Sequence, residues 1–152
     1  MIDNRTMPAA TVMPVLVYED VGEACDWLCR AFGFRERWRA GNHRAQLDFG
    51  NGCVVVGEAR IGAPGESAEG ISFEPEHAGQ ISHSVTVRVE DADGHHARAR
   101  EHGARILQAP KDFPYGERQY NAVDIGGHHW TFSQSIADLA PEDWGGRTAP
   151  AG

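Results

Sequence analysis

Hydrophobic and polar positions along the chain follow the same order of periods twice. Residues 14–18 and 85–89 are rich in β-branched or apolar residues, which predicts a strand at the start of each half. In the first half Val21, Ala24 and Leu28 then recur at helical spacing and predict an amphipathic helix. Strand-like segments complete each half, at about 34–40, 43–49 and 53–58 in the first and at 105–109, 117–124 and 128–134 in the second. We therefore predict the order β-α-β-β-β in tandem.

The ends of the two predicted helices carry matching signals. Asp20 and Asp91 stand where an N-cap carboxylate would accept hydrogen bonds from exposed backbone N–H groups. Gly33 and Gly103 stand where the end of a helix needs a left-handed residue. The Glu-Asp pair at 19–20 recurs at 90–91, and the turn LDFG at 47–50 recurs as VDIG at 123–126. This internal echo predicts two copies of one structural module.

The predicted organisation follows from where these periods stop. Residues 11–59 predict the first module and residues 81–136 the second. Between them, residues 60–80 are rich in glycine, proline and glutamate without any period, which predicts a linker. Residues 1–10 predict a flexible N-terminus and residues 137–152 a flexible C-terminal tail.

Composition narrows the classes of protein. The chain has 152 residues, 41% of them hydrophobic, and suits one soluble domain or two small repeats. The net charge of −8 and the single lysine, Lys111, argue against nucleic acid as a partner. No apolar run of about 20 residues and no signal sequence are present, which predicts no membrane contact and a cytoplasmic protein. Three cysteines make no disulfide framework.

Three stretches carry a resemblance to a known family: VYEDVGEACDWLCRAFGF, VRVEDADGHHARAREHGA and YGERQYNAVDIGGHHWTFSQ. Together with the tandem order they resemble the vicinal oxygen chelate superfamily, in its glyoxalase/bleomycin-resistance branch. The resemblance implies an α+β fold in which tandem βαβββ modules form curved mixed sheets around a central cavity. It also implies a homodimer.

Within such a fold, strand alternation assigns side chains to the helix or to the cavity. Val85, Val87 and Val89 form the apolar set of their strand and should face the helix. Trp130 and Phe132 should pack there too. The positions left for the cavity are Ser84, Thr86, Arg88, His129, Thr131 and Ser133 in the second half, and Met13, Val15, Val17, Val54, Val56 and Glu58 in the first.

Metal-dependent members of the superfamily hold a divalent ion with four ligands, usually His, Gln or Glu. The resemblance places those positions at Met13, Val56, Ser84 and Thr131. None of these is a strong ligand for zinc, nickel, iron or manganese, so we expect no metal cofactor. A divalent metal held by Glu58, His129 and His83 is the alternative.

The resulting hypothesis is a metal-free protein, similar to bleomycin-resistance proteins, that binds a small aromatic or cationic compound. The negative net charge would favour a basic ligand. One alternative is a glyoxalase-like lyase or isomerase, or a dioxygenase, that uses a metal or acid–base chemistry by Glu58 and His129. Another is a module that serves only for dimerisation. The predicted ligand-binding residues are Met13, Trp38, Val56, Glu58, Ser84, Thr86, Arg88, Arg118, Tyr120, His129 and Thr131.

Overall fold

The computed structural model describes residues 2–58 and 79–151, which form two compact units. Each unit has a four-stranded mixed sheet with one helix packed against it. The first unit includes the described residues up to Ser82 together with the turn 125–128, and the second holds residues 83–124 and the chain from His129 onward. The predicted linker, 60–80, lies outside the described residues except for its last two positions. No helix in the described ranges has the length and apolar character needed to cross a membrane.

The first sheet has the strand order β1-β4-β3-β2. Strand β1 is parallel to β4, and the other neighbours are antiparallel. The elements match the predicted order, and their bounds are β1 Val15–Val17, α1 Val21–Phe32, β2 Arg35–Ala40, β3 Arg44–Phe49 and β4 Gly52–Gly57.

Helix α1 begins and ends at the predicted residues. The carboxylate of Asp20 accepts a hydrogen bond from the backbone N–H of Glu23 at 2.9 Å, so the N-cap is formed as expected. Gly33 adopts φ 82°, a left-handed conformation that glycine enters without a Cβ clash. The apolar stripe between these caps is buried, and its members are Val21, Ala24, Cys25, Trp27, Leu28, Ala31 and Phe32.

The second sheet repeats this topology with the order β5-β8-β7-β6. Strand β5 is parallel to β8. The bounds are β5 Ser84–Arg88, α2 Ala92–Glu101, β6 Arg105–Phe113, β7 Glu117–Val123 and β8 His129–Ser135, followed by a short 3-10 turn at Pro141–Asp143. Strand β6 is longer than predicted and includes Pro110, which a sheet tolerates here because β6 is an edge strand.

Helix α2 packs through small and polar residues rather than through an apolar stripe. Its buried residues are Ala92 and Ala99. His95 fills the space between them and the sheet: its Nδ1 lies 2.6 Å from the hydroxyl of Tyr120, and its ring centroid lies 4.2 Å from that of Phe132. Helix α2 is therefore held to the sheet in part by the ring contacts of His95. The hydrophobic pattern of the helix sequence does not predict these contacts.

Both terminal segments contact the unit to which they belong. The guanidinium of Arg37 donates to the backbone oxygens of Arg5 and Met7 at 3.2 and 3.0 Å. The indole N–H of Trp38 donates to the oxygen of Thr6 at 2.9 Å. In the second unit the ring of Trp144 meets that of Tyr115 edge-on, with centroids 5.7 Å apart. These contacts come from residues that carry no period in the sequence.

Candidate functional site

Each sheet has one face covered by its helix and one face turned away from it, which we call the open face. In the second sheet the cross-strand register aligns Ser84 with His129, Thr86 with Thr131, and Arg88 with Ser133. Register partners point to the same side of a sheet. Because Trp130 and Phe132 are fully buried on the helix side, these six residues lie on the open face, as strand alternation predicts.

The open face of the second sheet is organised in rows of register partners. The threonine row consists of Thr86, Thr131, Asn121 and Gln108. The arginine row consists of Arg88, Ser133, Gln119 and Lys111. The histidine row consists of Ser84, His129, Val123 and Arg105. Almost every position in these rows is polar, so this open face forms a surface of hydroxyl, amide and cationic groups.

Cross-strand hydrogen bonds fix the arginine row. Ser133 donates its hydroxyl hydrogen to the carboxylate of Glu117 at 2.7 Å. Gln119 donates through its side-chain amide to the oxygen of Ser133 at 2.9 Å. The hydroxyl of Tyr115 in turn donates to the amide oxygen of Gln119 at 2.8 Å. The carboxylate of Glu117 can only accept hydrogen bonds, so it fixes the direction of each hydrogen bond in this series. The series holds these side chains in one arrangement.

The threonine row is less completely engaged. The side-chain amide of Asn121 donates to the hydroxyl oxygen of Thr131 at 2.7 Å. The amide nitrogen of Gln108 is buried and has no hydrogen-bond partner within the described residues. A buried donor without a partner costs free energy in the folded state.

The open face of the first sheet is apolar along β1 and β4 but polar along β3, which contributes Arg44, Gln46 and Asp48. Register aligns Val15 with Val55 and Val17 with Gly57, and Gln46 also pairs with Val55. The side chain of Val15 is 44% exposed, whereas Cys53 and Gln46 are buried. Burial raises the pKa of the Cys53 thiol, so this thiol stays protonated and behaves as a small apolar group. Met13, just before β1, is half-buried.

Two valines that the sequence assigned to the cavity face the helix instead. Val56 aligns with Leu16 in β1 and with Ala45 in β3, and all three are fully buried. Ala45 also aligns with Arg39, whose guanidinium binds Asp26 of helix α1 at 2.8 Å, which identifies this side as the helix side. Val54 has the same parity as Val56. Alternation was uninformative because β4 is apolar at both parities, so only the pairing with β1 decides.

Tyr120 and Arg118 also lie on the helix side rather than in the predicted binding site. Tyr120 aligns with Phe132, is fully buried and contacts His95. Burial raises the pKa of the Tyr120 hydroxyl. Arg118 has the same parity and forms ion pairs with Asp112 at 2.8 Å and Asp93 at 2.9 Å. The two carboxylates raise the pKa of this guanidinium, so it carries a fixed charge that the protein itself already pairs.

Trp38 and Glu58, the remaining predicted residues of the first half, lie in two different places. Trp38 aligns with Gln46 on the open face and lines a cavity of about 820 Å³ together with Ala40 and the N-terminal residues Asp3 to Thr6. Glu58 follows β4, and its carboxylate contacts Nδ1 of His43, in the turn between β2 and β3. The sequence contains no signal for this pairing, because fifteen positions separate the two residues.

His128 has a contact of its own next to the first sheet. Its Nε2 lies 2.7 Å from the backbone oxygen of Val17, and its ring centroid lies 4.7 Å from that of Tyr18. Gly126 leaves room for this arrangement, since a Cβ at that position would come within 2.4 Å of the Tyr18 ring. The imidazole of His128 therefore serves packing and hydrogen bonding around Tyr18.

The residues present do not fit a catalytic divalent ion. Of the four positions implied by the resemblance, Val56 is turned to the helix, and Met13, Ser84 and Thr131 offer a thioether and two hydroxyls. On the open face of the second sheet, His129 and Glu117 stand six register positions apart on the β7–β8 ladder, roughly 20 Å. Within residues 2–58 and 79–151 no group of three His, Cys, Asp or Glu side chains is close enough to hold a metal.

A family model and solved structures match this chain. The model of the Glyoxalase/Bleomycin resistance protein/Dioxygenase superfamily matches residues 10–132, most of the chain. The chain belongs to this superfamily. Among solved structures, TioX from Micromonospora sp. ML1 is 36% identical, with 84% of this chain and 99% of that one covered and a TM-score of 0.66.

Other proteins that resemble this chain are more distant and carry less information. An uncharacterised protein of Mycobacterium tuberculosis is 27% identical over 130 residues, which cover 83% of this chain and 75% of the relative. The lactoylglutathione lyase of Agrobacterium tumefaciens has a TM-score of 0.61 with 12% identity, and the aligned part covers 85% of this chain and 96% of that one. At that identity the likeness concerns the fold alone.

Among the side chains of the site that the sequence did not predict are Gln108, Gln119 and Asn121. Glu117, Gln119 and Asn121 alternate with Arg118, Tyr120 and Ala122 along β7. The amide and carboxylate set marks the open face, because the apolar set with Tyr120 and Ala122 must face the core. That signal was readable, whereas the position of Gln108 was hidden by a bulge between Ile106 and Gln108.

Proposed function

We propose that this member of the superfamily binds a small molecule without the help of a metal ion, and that the open face of the second sheet is part of the binding site. The proposal concerns capture of a ligand rather than turnover. Capture needs only affinity for the ground state of the ligand, so it requires no catalytic side chain.

One observation carries the proposal: hydrogen bonds from Tyr115 through Gln119 and Ser133 to Glu117 hold these side chains, in and beside the arginine row, in one arrangement. Side chains that are ordered before a ligand arrives do not lose conformational entropy when it binds.

No observation favours the alternative in which Glu58 and His129 transfer protons. The carboxylate of Glu58 is paired with the imidazole of His43. A general base must reach the proton that it abstracts, and a carboxylate held by a neighbouring imidazole would have to break that contact first. We therefore give the site a binding role.

The proposal also includes a homodimeric, cytoplasmic protein. In this superfamily two modules face each other across a cavity, and dimerisation is one way to bring modules together. Light scattering on the purified protein at several concentrations tests the oligomeric state. A monomer at all concentrations would contradict the dimer while leaving ligand binding open.

Thermal unfolding in the presence of a library of small aromatic compounds tests the function. In buffer with EDTA we expect some compounds to raise the midpoint, because binding to the folded state alone stabilises it. Thr131→Val, which keeps the shape but removes the hydroxyl, should reduce the shift. Thr11→Val, an exposed threonine before the first strand, is the matched control. If compounds bind only after addition of nickel, zinc or manganese, metal-free capture is wrong.

A further inference from the structure

We propose that the open face of the second sheet selects oxygen-rich anions, and specifically an aromatic carboxylate. The inference rests on the proposed function and adds the chemical class of the ligand. It starts from the hydrogen-bonding groups that the protein leaves available on this face.

Several acceptors in and beside the arginine row are engaged by the protein itself. An oxygen of Glu117 accepts from Ser133, and the amide oxygen of Gln119 accepts from Tyr115. The hydroxyl oxygen of Ser133 accepts from Gln119. A ligand that offers N–H or O–H donors would compete with these internal hydrogen bonds, and each exchange would return little free energy.

The donors, by contrast, remain available. The guanidinium of Arg88 lies on an exposed position and forms no ion pair or hydrogen bond within the described part of the chain. The amide nitrogen of Gln108 also has no partner there, but it is enclosed by protein and does not count among the donors that a ligand reaches directly. Thr131 accepts from Asn121, which leaves its hydroxyl hydrogen to be donated. Asn121 keeps an amide oxygen, so the face is rich in donors without consisting of donors alone.

The charged side chains of the open face also favour an anionic ligand. The rows of the open face carry Arg88, Arg105 and Lys111, and Glu117, on the same face of the described sheet, accepts a hydrogen bond from Ser133 through one carboxylate oxygen. Asp93 and Asp112 pair with Arg118 on the helix side of the sheet. The net charge of −8 belongs to the whole chain. Exposed charges more than about 8–10 Å away are largely screened at physiological salt, so the local cations decide.

The aromatic part of the ligand is inferred from the edge of the same face. Phe113 aligns with Glu117 next to the arginine row. The rings of Phe113 and Tyr115 stack at a centroid distance of 5.3 Å and an angle of 17°, and the ammonium of Lys111 lies 4.9 Å from the Phe113 centroid. Arg88 and Lys111 occupy opposite edges of the row, three strand spacings or roughly 14 Å apart. A carboxylate at Arg88 and a flat ring system directed toward Phe113 would fit this span.

Calorimetric titration with two probes of similar shape and opposite charge tests the inference. The probes are 2-naphthoate and protonated 2-naphthylmethylamine, titrated into the full chain in EDTA. We expect naphthoate to bind about 10-fold or more tightly than the amine, since a charged hydrogen bond to Arg88 distinguishes them. Arg88→Gln should remove that difference. Arg100→Gln on helix α2 changes the net charge equally and should retain it.

Each outcome bears on either the ligand class or the function. If the amine binds equally or more tightly, or if naphthoate fails to bind at millimolar concentration, the anion preference is wrong. The proposed function then still stands if other compounds from the library stabilise the protein and Thr131→Val weakens them. If Arg88→Gln and Arg100→Gln reduce naphthoate binding alike, the effect comes from net charge and the assignment to Arg88 is overturned. Circular dichroism of both variants checks that they fold.

Discussion

Tyr120 offers the sharpest test of the side-chain assignments, because the sequence placed it in the ligand site and the fold places it under helix α2. The substitution Tyr120→Phe keeps the ring that packs on Phe132 at 5.1 Å and removes only the hydroxyl that contacts His95 at 2.6 Å. Losing one hydrogen bond in a buried setting costs about 1–2 kcal/mol of unfolding free energy. For a chain of this length that corresponds to a midpoint lowered by roughly 3–6 °C.

The matched control is Tyr115→Phe, which removes a hydroxyl from the open face. Tyr115 is half-exposed and donates a hydrogen bond to Gln119. Removing its hydroxyl should therefore change the free energy of unfolding by less than about 1 kcal/mol, while loosening the series of hydrogen bonds on the open face. Urea unfolding followed by fluorescence measures stability, and titration with a ligand that stabilises the parent chain measures affinity. If Tyr120→Phe weakens the ligand and leaves unfolding unchanged, the ring faces the ligand and our assignment of the sheet faces fails.

Titration of the tyrosine hydroxyls at high pH gives a second test of the Tyr120→Phe substitution. Burial raises the pKa of Tyr120 above the ordinary value near 10. Tyr120 should therefore ionise at a higher pH than an exposed tyrosine does while the chain is folded. The absorbance change at high pH should lose this late step in Tyr120→Phe and keep it in Tyr115→Phe. Retention of the late step in Tyr120→Phe would assign it to another residue.

Three further predictions concern stability. Burial, reinforced by Arg100, lowers the pKa of His96 in the folded state. The unfolded chain therefore binds the proton more tightly, and stability should fall as pH drops below about 6.5. In His96→Gln the urea midpoint should depend less on pH in that window, and an unchanged dependence would contradict the shift. Val56→Ala should lower the free energy of unfolding by about 2–3 kcal/mol because Val56 is fully buried against the helix. Val15→Ala, at a half-exposed position, should lower it by less than about 1 kcal/mol. Equal losses would mean that Val56 does not face the helix. Asp20→Ala should lower stability by about 1 kcal/mol through loss of the N-cap, with the exposed Glu19→Ala as control, and equal small effects of both would show that the cap is unimportant.

The superfamily scaffold keeps its topology here while the side chains that could bind an ion are absent from the positions implied by the resemblance. Hydroxyls at Ser84 and Thr131 and a thioether at Met13 cannot replace imidazole or carboxylate ligands. A hydroxyl on a fixed strand can donate a hydrogen bond with little loss of entropy, and one fold can host different chemistries when a few side chains change.

The amino-acid sequence by itself determined the order of elements, the caps at Asp20 and Asp91, and the two faces of strands β5 and β8. These assignments succeed because each depends on neighbouring residues. A carboxylate three positions before a free N–H can cap a helix, and strict alternation of polar and apolar residues leaves one orientation for a strand with a buried face.

The remaining assignments required the folded chain. Strand β4 reads CVVV at 53–56, so either parity would bury apolar side chains, and only its register with β1 turns Val56 toward the helix. Arg118 could have paired with its neighbour Glu117, yet its carboxylates come from positions 6 and 25 residues away. Side-chain direction follows from local pattern only where the pattern has one solution. Where it has two, partners that are distant in sequence and close in space choose between them.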